Sequence, residues 1–463
     1  MTLTSAAIAR MGIVDSILET IGWTPLVRLR RSAETLVPTL LAKVEYMNPG
    51  GSTKDRAALY MIRQAEKEGL LLPGGTIVEA TAGNTGLGLA LIAAVRGYRC
   101  IFVMPDKMSM DKIRLLRGFG AEVVITPTSV PPDSPESYNG VADRLSREIP
   151  GAWRPNQFAN LMNPRSHYET TGPEIWEQTE GRVTAFVAGA GTGGTLSGVG
   201  RYLKEQNPAV KIVGADIEGS VLSGDSPKPW KVEGIGEDFV PKTLNGQVID
   251  EWIRISDAES FNMGRRLARE DGILVGGSSG TALAAAFKLA QRCTAEDVIV
   301  VACPDTGRNY ISTMYDDGWM AAQGYLDRTP ETTTLGDLLD ALGDRKKATI
   351  ILKPDDTLHA AAEILRRHGI SQIPVIDGGR MIGAVEEITI MRALKQSADS
   401  KAVRIGDVMA KSLPQLDVGV LVEEAYRLLL AGNPAVVALK EKQIVGIITR
   451  SDLMEYYERV PQR

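Results

Sequence analysis

The chain of 463 residues exceeds one ordinary domain and predicts two or three, with 44% hydrophobic against 24% charged residues leaving ample material for a sizeable core. A net charge of −5 offers no basic footprint, so nucleic acid and anionic membrane surfaces are not expected as partners. Three cysteines, Cys100, Cys293 and Cys303, and three histidines, His167, His359 and His368, are scattered without ligand spacing, which argues against a metal site, a redox pair or a histidine-dependent triad.

From the N-terminus, residues 1–22 lack the charged start and apolar run of a signal peptide, and no later stretch is an apolar span of membrane length; a cytoplasmic location is expected. Apolar runs at 40–44, 76–79, 100–104 and 122–125 read as strands. Between them, 57–68 and 86–96 carry helical periodicity, with Gly69, Gly97 and Gly120 where helices would stop. That alternation predicts a parallel sheet covered by helices. It resumes after a polar, proline-rich passage at 127–137, with strands at 183–188 and 211–215 and a last pair around Ile273 and Val298. The expectation is an α/β fold of two lobes with a cleft between them.

After Trp319 the character changes. Residues 1–325 form the first expected domain and 326–334 an exposed linker, centred on Asp327 to Thr334. Residues 335–463 follow as an internal repeat, with copies at about 335–396 and 403–460: Gly369, Gly383 and Met391 recur at one offset as Gly432, Gly446 and Met454.

Four segments could carry chemistry. In Gly50-Gly51-Ser52-Thr53-Lys54-Asp55-Arg56 a lysine stands at a loop-to-helix junction, where partial desolvation would lower its pKa and suit Schiff-base formation; a solvated surface lysine is the plainer reading. Glu79-Ala80-Thr81-Ala82-Gly83-Asn84-Thr85-Gly86 turns from a strand end into a helix and suits a carboxylate, with Asn84 able to donate to a phenolic oxygen; a capped helix start explains it equally. Gly189-Ala190-Gly191-Thr192-Gly193-Gly194-Thr195 is a phosphate cradle that also fits a dinucleotide fingerprint, with Asp216 at the next strand end, so an NAD dehydrogenase is a rival. Gly276-Gly277-Ser278-Ser279-Gly280 again joins a strand to a helix, and is either a partner for a ring nitrogen or a plain cap.

Together GGSTKDR, EATAGNTG, GAGTGGT, EGIGEDF and GGSSG, in this order and spacing, resemble the fold-type II (tryptophan synthase β-like) pyridoxal-phosphate enzymes of the cysteine synthase and cystathionine β-synthase group, over about residues 13–325. The resemblance implies pyridoxal 5′-phosphate carried by Lys54, its phenolic oxygen met by Asn84, its phosphate held by Gly191, Thr192, Gly193, Gly194 and Thr195, and its ring nitrogen by Ser278. Thr81, Ala82, Thr85 and Gln157 would take the amino-acid carboxylate. A serine opposite the ring nitrogen favours loss of a β-substituent over a long-lived carbanion. Serine or O-acetylserine with homocysteine would then give cystathionine, with hydrogen sulfide production as a possible side activity; O-acetylserine with sulfide would give cysteine. Glu233, in Glu233-Gly234-Ile235-Gly236, stands where cystathionine β-synthases carry an acid near the substrate and cysteine synthases a neutral residue, and the Asp133 to Ser137 passage points the same way. Ala82 replaces a serine of many relatives, and Phe158 and Glu237 replace tyrosines of animal cystathionine β-synthases. These departures leave O-acetylserine open beside free serine, because departure of hydroxide needs more acid assistance than departure of acetate. No haem is expected, since no cysteine or histidine precedes Cys100.

The tail resembles a CBS-domain pair, a nucleotide-sensing module. In Gly446-Ile447-Ile448-Thr449-Arg450-Ser451-Asp452-Leu453, Thr449 and Asp452 match positions that bind adenosine ligands, whereas the first repeat has Glu386 and Thr389 there. The resemblance implies S-adenosylmethionine as effector and a homodimer or homotetramer as the assembly; a module that merely dimerises, or a scaffold without catalysis, are the other readings.

Overall fold

The computed structural model describes residues 12–459 apart from 82, 107, 109, 128, 132–133, 327–332, 343–349 and 397–398, with side chains undescribed at 111 and beyond 456. Ala82, Asp133 and linker residues 327–332 therefore lie outside the described residues. The chain divides into two compact units, Met1–Tyr315 and Asp316–Arg463.

The first unit begins with β1 (Leu26–Arg28), β2 (Thr39–Val44), α1 (Lys54–Lys67), β3 (Thr76–Ala80), α2 (Asn84–Arg96), β4 (Arg99–Pro105), α3 (Met110–Gly118), β5 (Glu122–Thr126), α4 (Tyr138–Glu148) and β6 (Ala152–Trp153). A helical run follows, α5 (Met162–Ser166), a π-turn (His167–Thr171) and α6 (Gly172–Gln178). The unit closes with β7 (Ala185–Gly189), α7 (Gly194–Gln206), β8 (Lys211–Ile217), β9 (Glu251–Ile255), α8 (Asp257–Asp271), α9 (Gly277–Ala290) and β10 (Val298–Cys303).

Two sheets result. The larger runs β1-β2-β10-β7-β8-β9, antiparallel only between β1 and β2. The smaller runs β5-β4-β3-β6 and is parallel throughout. Helices cover both faces of the larger sheet, which is why β10 reads as an unbroken apolar run. Ile299, Val301 and Cys303 pack with Val187, Val213 and Leu283 on one face, and Val300 and Ala302 pack with Phe186, Leu196 and Val199 on the other. In the smaller lobe α1 and α2 pack together over Ile77, Cys100 and Phe102.

Two sequence expectations are corrected. The stretch at Ile273 forms no strand but a connection with one isolated bridge, Val275 to Thr306. The strand beside β8 is β9 instead, whose Glu-Trp-Ile-Arg-Ile sequence mixes charge with apolar residues because it lies at the sheet edge. Helix α1 also starts earlier than its apolar pattern, with Lys54 itself as the first helical residue.

The second unit contains α10 (Asp317–Ala322), α11 (Leu335–Leu342), α12 (Leu358–His368), β11 (Gln372–Asp377), β12 (Arg380–Glu386), α13 (Glu387–Gln396), α14 (Ile405–Val408), β13 (Gln415–Asp417), α15 (Val422–Leu430), β14 (Ala435–Lys440), β15 (Gln443–Thr449) and α16 (Arg450–Arg459). Its repeat is structural as well as sequential. The hairpins β11–β12 and β14–β15 are both antiparallel and both shift register once, between Val375 and Ile376 in one and at the equivalent pair, Ala438 and Leu439, in the other. Ala384, Leu413, Ala435 and Val437 join the repeats in one apolar cluster. Thr333 and Thr334, expected in an exposed linker, are buried here: the Thr333 hydroxyl meets that of Tyr456, and Thr334 caps α11 through Asp337. No described helix is long and apolar enough to cross a membrane.

Candidate active site

Lys54 sits at the start of α1, half-buried. The loop before it is pinned to the end of β10, where Thr53 N–H donates to Pro304 O at 2.8 Å and Ser52 bridges to Asp305. Burial lowers the pKa of the lysine, against the opposing fields of Asp305 and Glu237. Burial thus favours the neutral, nucleophilic amine more than at a solvated surface lysine.

Asp305, just past the end of β10, is the residue the sequence reading missed. It is buried, and its Oδ2 accepts from Asn84 Nδ2 at 2.8 Å and from the Tyr310 hydroxyl at 2.7 Å. Burial raises its pKa; the bonds from Tyr310 and Asn84 and the charge of Lys54 act the other way. One signal was available: the acid follows directly on a central parallel strand, where open α/β sheets place their ligands.

Two helices of this unit are closed by side chains: Ser137 caps α4, and Ser256 with Glu259 forms a full capping box on α8, whereas α1, α5 and α6 start without a side-chain cap bond. Helices α2, α7 and α9 begin after Gly83, Gly193 and Gly276, again with no side-chain cap bond on any of the three. Thr81, Asn84 and Ser278, candidates for plain caps, do not act as such. Gly194 N–H, the first of α7, reaches Thr192 Oγ1 at 3.4 Å, and the other leading N–H groups of these helices suit an anion or polar ligand.

The glycines themselves are dictated by close approach. Gly193 takes φ +76°, and a Cβ there would lie 2.5 Å from Leu244. One on Gly276 would lie 2.1 Å from Asp305 Oδ1.

The cradle is braced from behind. Asn163 Nδ2 donates to Thr192 Oγ1 at 2.9 Å, and Thr243 Oγ1 to Thr192 O at 2.6 Å. His167 Nε2 lies 3.2 Å from Thr195 Oγ1, while its Nδ1 lies 2.9 Å from Thr171 Oγ1 within the π-turn. A histidine set aside for want of a cluster thus supports the phosphate loop. Burial holds its pKa down to about 3, so it is neutral.

Because the unfolded chain binds that proton near the ordinary value of 6.5, this site's stabilisation is complete above that pH. It is lost as pH falls toward about 3, with a slope of about 1.4 kcal/mol per pH unit. Urea midpoints measured from pH 7 to pH 4 should fall more steeply for the wild type than for His167→Gln; parallel curves would mean the histidine is not buried as described.

Thr81 is buried, and Thr85 Oγ1 donates to Gln157 Oε1 at 2.5 Å, so two of the expected carboxylate ligands meet. Ser278 is buried in the first turn of α9, near Gly189. Glu233, which the resemblance places near the substrate, is largely exposed and ion-paired with Lys112 of α3, tying the lobes together, and its field reaches Asp305. The predicted inertness of Cys100 and Cys303 fits their burial, which pushes both thiols up to about 12; Cys293 is only half-buried.

Behind the lysine lies a network of buried charge. Arg56 forks onto Glu45 (Nε–Oε2 2.7 Å, Nη2–Oε1 2.9 Å) and onto Glu174 (Nη1–Oε1 2.6 Å, Nη2–Oε2 2.7 Å), and Lys43 Nζ meets Glu174 Oε2 at 2.7 Å. Burial alone would raise the pKa of Glu45, but Arg56 and Lys43 hold it at about 2. This locks the first turn of α1, two residues from Lys54, to β2 and α6.

The donor set fits pyridoxal phosphate. Thr53 Oγ1, next to the lysine in the chain, and Asp305 Oδ1, on the acid whose field acts on it, are buried without a hydrogen-bond partner, as groups awaiting a polar ligand would be. A lysine of lowered basicity and a glycine-threonine cradle at a helix start define a two-lobed enzyme that carries a phosphorylated aldehyde cofactor on an amine. Residues 17–305 match the family described as pyridoxal-phosphate dependent enzyme, and residues 340–396 and 405–459 each match the CBS domain.

Among curated relatives, cystathionine beta-synthase of Oryctolagus cuniculus is 39% identical over 96% of this chain and 85% of its own length. The enzyme of that name from Dictyostelium discoideum is 36% identical over 97% and 94%. The chain belongs to the cystathionine beta-synthase family of pyridoxal-phosphate-dependent enzymes. Among solved structures, a hydrogen sulfide-producing enzyme from Fusobacterium nucleatum is 37% identical with a TM-score of 0.62, over 65% of this chain and 98% of that one. O-ureido-L-serine synthase is 40% identical with a TM-score of 0.63, over 67% and 100%.

Proposed function

We propose that this enzyme joins L-serine or O-acetyl-L-serine to L-homocysteine, a β-replacement that yields cystathionine in transsulfuration. The observation that carries the reading is Lys54 at an uncapped cleft between two α/β lobes, in a chain alike to cystathionine beta-synthases along nearly its whole length. Pyridoxal phosphate, when bound, supplies the electron sink that makes Cα–H of an amino acid acidic. Gly191 to Thr195 hold its phosphate, Asn84 its phenolic oxygen and Ser278 its ring nitrogen. Thr81, Ala82, Thr85 and Gln157 orient the substrate carboxylate. The Lys54 amine takes the Cα proton and later returns it, and the thiol of the acceptor adds at Cβ once the leaving group has gone.

The test supplies homocysteine with either donor and assays cystathionine by mass; product from at least one donor is expected, and product from neither rejects the reading. A second reading, cysteine synthesis from O-acetylserine and sulfide, is favoured by the Lys112–Glu233 pair, which occupies the acid that the resemblance places near the substrate. Sulfide needs no such contact, and faster turnover with sulfide than with homocysteine would select that reading.

An adenosine-type effector, S-adenosylmethionine, is proposed for the second repeat. Thr449 N–H and Oγ1 both donate to Asp452 Oδ2, at 2.8 and 2.7 Å, which orders the turn between β15 and α16. Asp452→Ala should abolish the heat of S-adenosylmethionine binding in calorimetry; an unchanged isotherm would place the effector elsewhere. Exposed Ile388, Met391 and Leu394 along α13, with Leu430 and Met454 in the other repeat, support a homodimer or homotetramer. The three unpaired thiols suit the reducing cytoplasm.

A further inference from the structure

The segment after Trp230 is tied down along its length. Lys231 and Val232 N–H groups donate to Asp257 Oδ1 at 3.0 Å each. Gly236 N–H donates to Ala190 O at 2.8 Å, Glu237 N–H to Ser220 Oγ at 3.1 Å, and Val221 N–H to Glu237 O at 2.9 Å. Gly236 takes φ +77°, and a Cβ there would lie 2.5 Å from Ile217 and 2.9 Å from Trp230. The backbone of Glu237 is therefore fixed against the ends of β7 and β8, beside the phosphate cradle, and cannot swing away without breaking two backbone–backbone bonds and one to the Ser220 hydroxyl.

The charges of Lys54, Asp238 next in sequence and Asp216 at the end of β8 act on its half-buried side chain, and its own charge acts on the phenol of Tyr138 at the start of α4 in the smaller lobe. Glu237 is thus a carboxyl within the electrostatic reach of the reactive lysine. Glu233, the acid singled out from sequence, is instead exposed and held by Lys112.

We propose that Glu237 is the proton donor to the β-leaving group and so fits this enzyme to free serine. Burial, with Asp238 and Asp216, raises its carboxyl to about 7 despite Lys54, so a substantial share carries a proton at neutral pH. As the Cβ–Oγ bond of serine breaks, the electron pair stays on oxygen, the Glu237 proton joins it, and water leaves. The resulting carboxylate then accepts the proton of the homocysteine thiol as sulfur bonds to Cβ, which restores the acid and closes the balance to cystathionine plus water. O-acetylserine needs no such proton, because acetate leaves as a stable anion.

The inference rests on the β-replacement reading, and the test separates the two. With homocysteine fixed, kcat/KM is measured for serine and for O-acetylserine in the wild type and in Glu237→Gln. The expected result is a loss of about a hundredfold on serine and less than about threefold on O-acetylserine. Independently of any variant, the wild-type ratio of serine to O-acetylserine kcat/KM should fall as pH rises through about 7, as the donor loses its proton. Equal losses on both donors, no loss on serine, or a pH-independent ratio would overturn the role of Glu237. A wild type that makes cystathionine from O-acetylserine but not serine overturns it too, while leaving β-replacement standing. Cystathionine from neither donor rejects both.

Discussion

Replacing Lys54 by alanine is expected to remove the visible absorption of lysine-held cofactor and to cut turnover by about a thousandfold or more, while the protein stays folded. The effect is large because the lysine is proposed both to hold the cofactor and to move the Cα proton, and no neighbour can substitute for it in either role. Asp305 is engaged by Asn84 and Tyr310, and Glu237 lacks an amine. The fold should tolerate the change. Lys54 is half-buried at a first helical position, forms no ion pair among the described residues, and alanine is the best helix former. Absorption spectra, turnover and circular dichroism read the three expectations separately. Retention of both the band and turnover would remove the basis for the lysine's assignment.

The second large effect belongs to Arg56. Its guanidinium neutralises Glu45 and Glu174 in a site with almost no solvent access. Arg56→Met would leave two buried carboxylates facing one lysine, Lys43, and the expected cost is about 3–5 kcal/mol of folding stability in urea titration. Arg144→Met, which removes an exposed pair with Glu148, should cost nothing measurable. The buried network also sets acid tolerance. Glu45, depressed to about 2, contributes stability that is complete above its ordinary value of 4.5 and is lost as pH falls toward about 2. An Arg56→Met protein within 1 kcal/mol of the wild type would mean that water reaches these charges.

Much of this architecture is legible in the chain because its parallel strands are buried on both faces and read as apolar runs, and because its glycine loops have fixed neighbours. What escaped detection has a physical reason in each case. Asp305 and His167 act through partners distant in sequence, Asn84 and Thr195, and isolated polar residues carry no periodic signal. Strand β9 mixes charge with apolar residues because it is an edge. Glu237 stood in the sequence as the loss of a tyrosine; the surroundings that raise its carboxyl are assembled only by the fold.

The uncapped helix starts carry a last consequence. Helices α4 and α8 bring their own caps, but α2, α7 and α9 start on glycines without one, so an anion bound at those starts would add to the stability of the folded state rather than merely occupy it. Binding to the native chain alone adds stability as RT ln(1 + [L]/Kd), about 2.7 kcal/mol at a hundredfold excess over Kd. Susceptibility to an added protease should therefore fall when pyridoxal phosphate is supplied and rise when it is withheld.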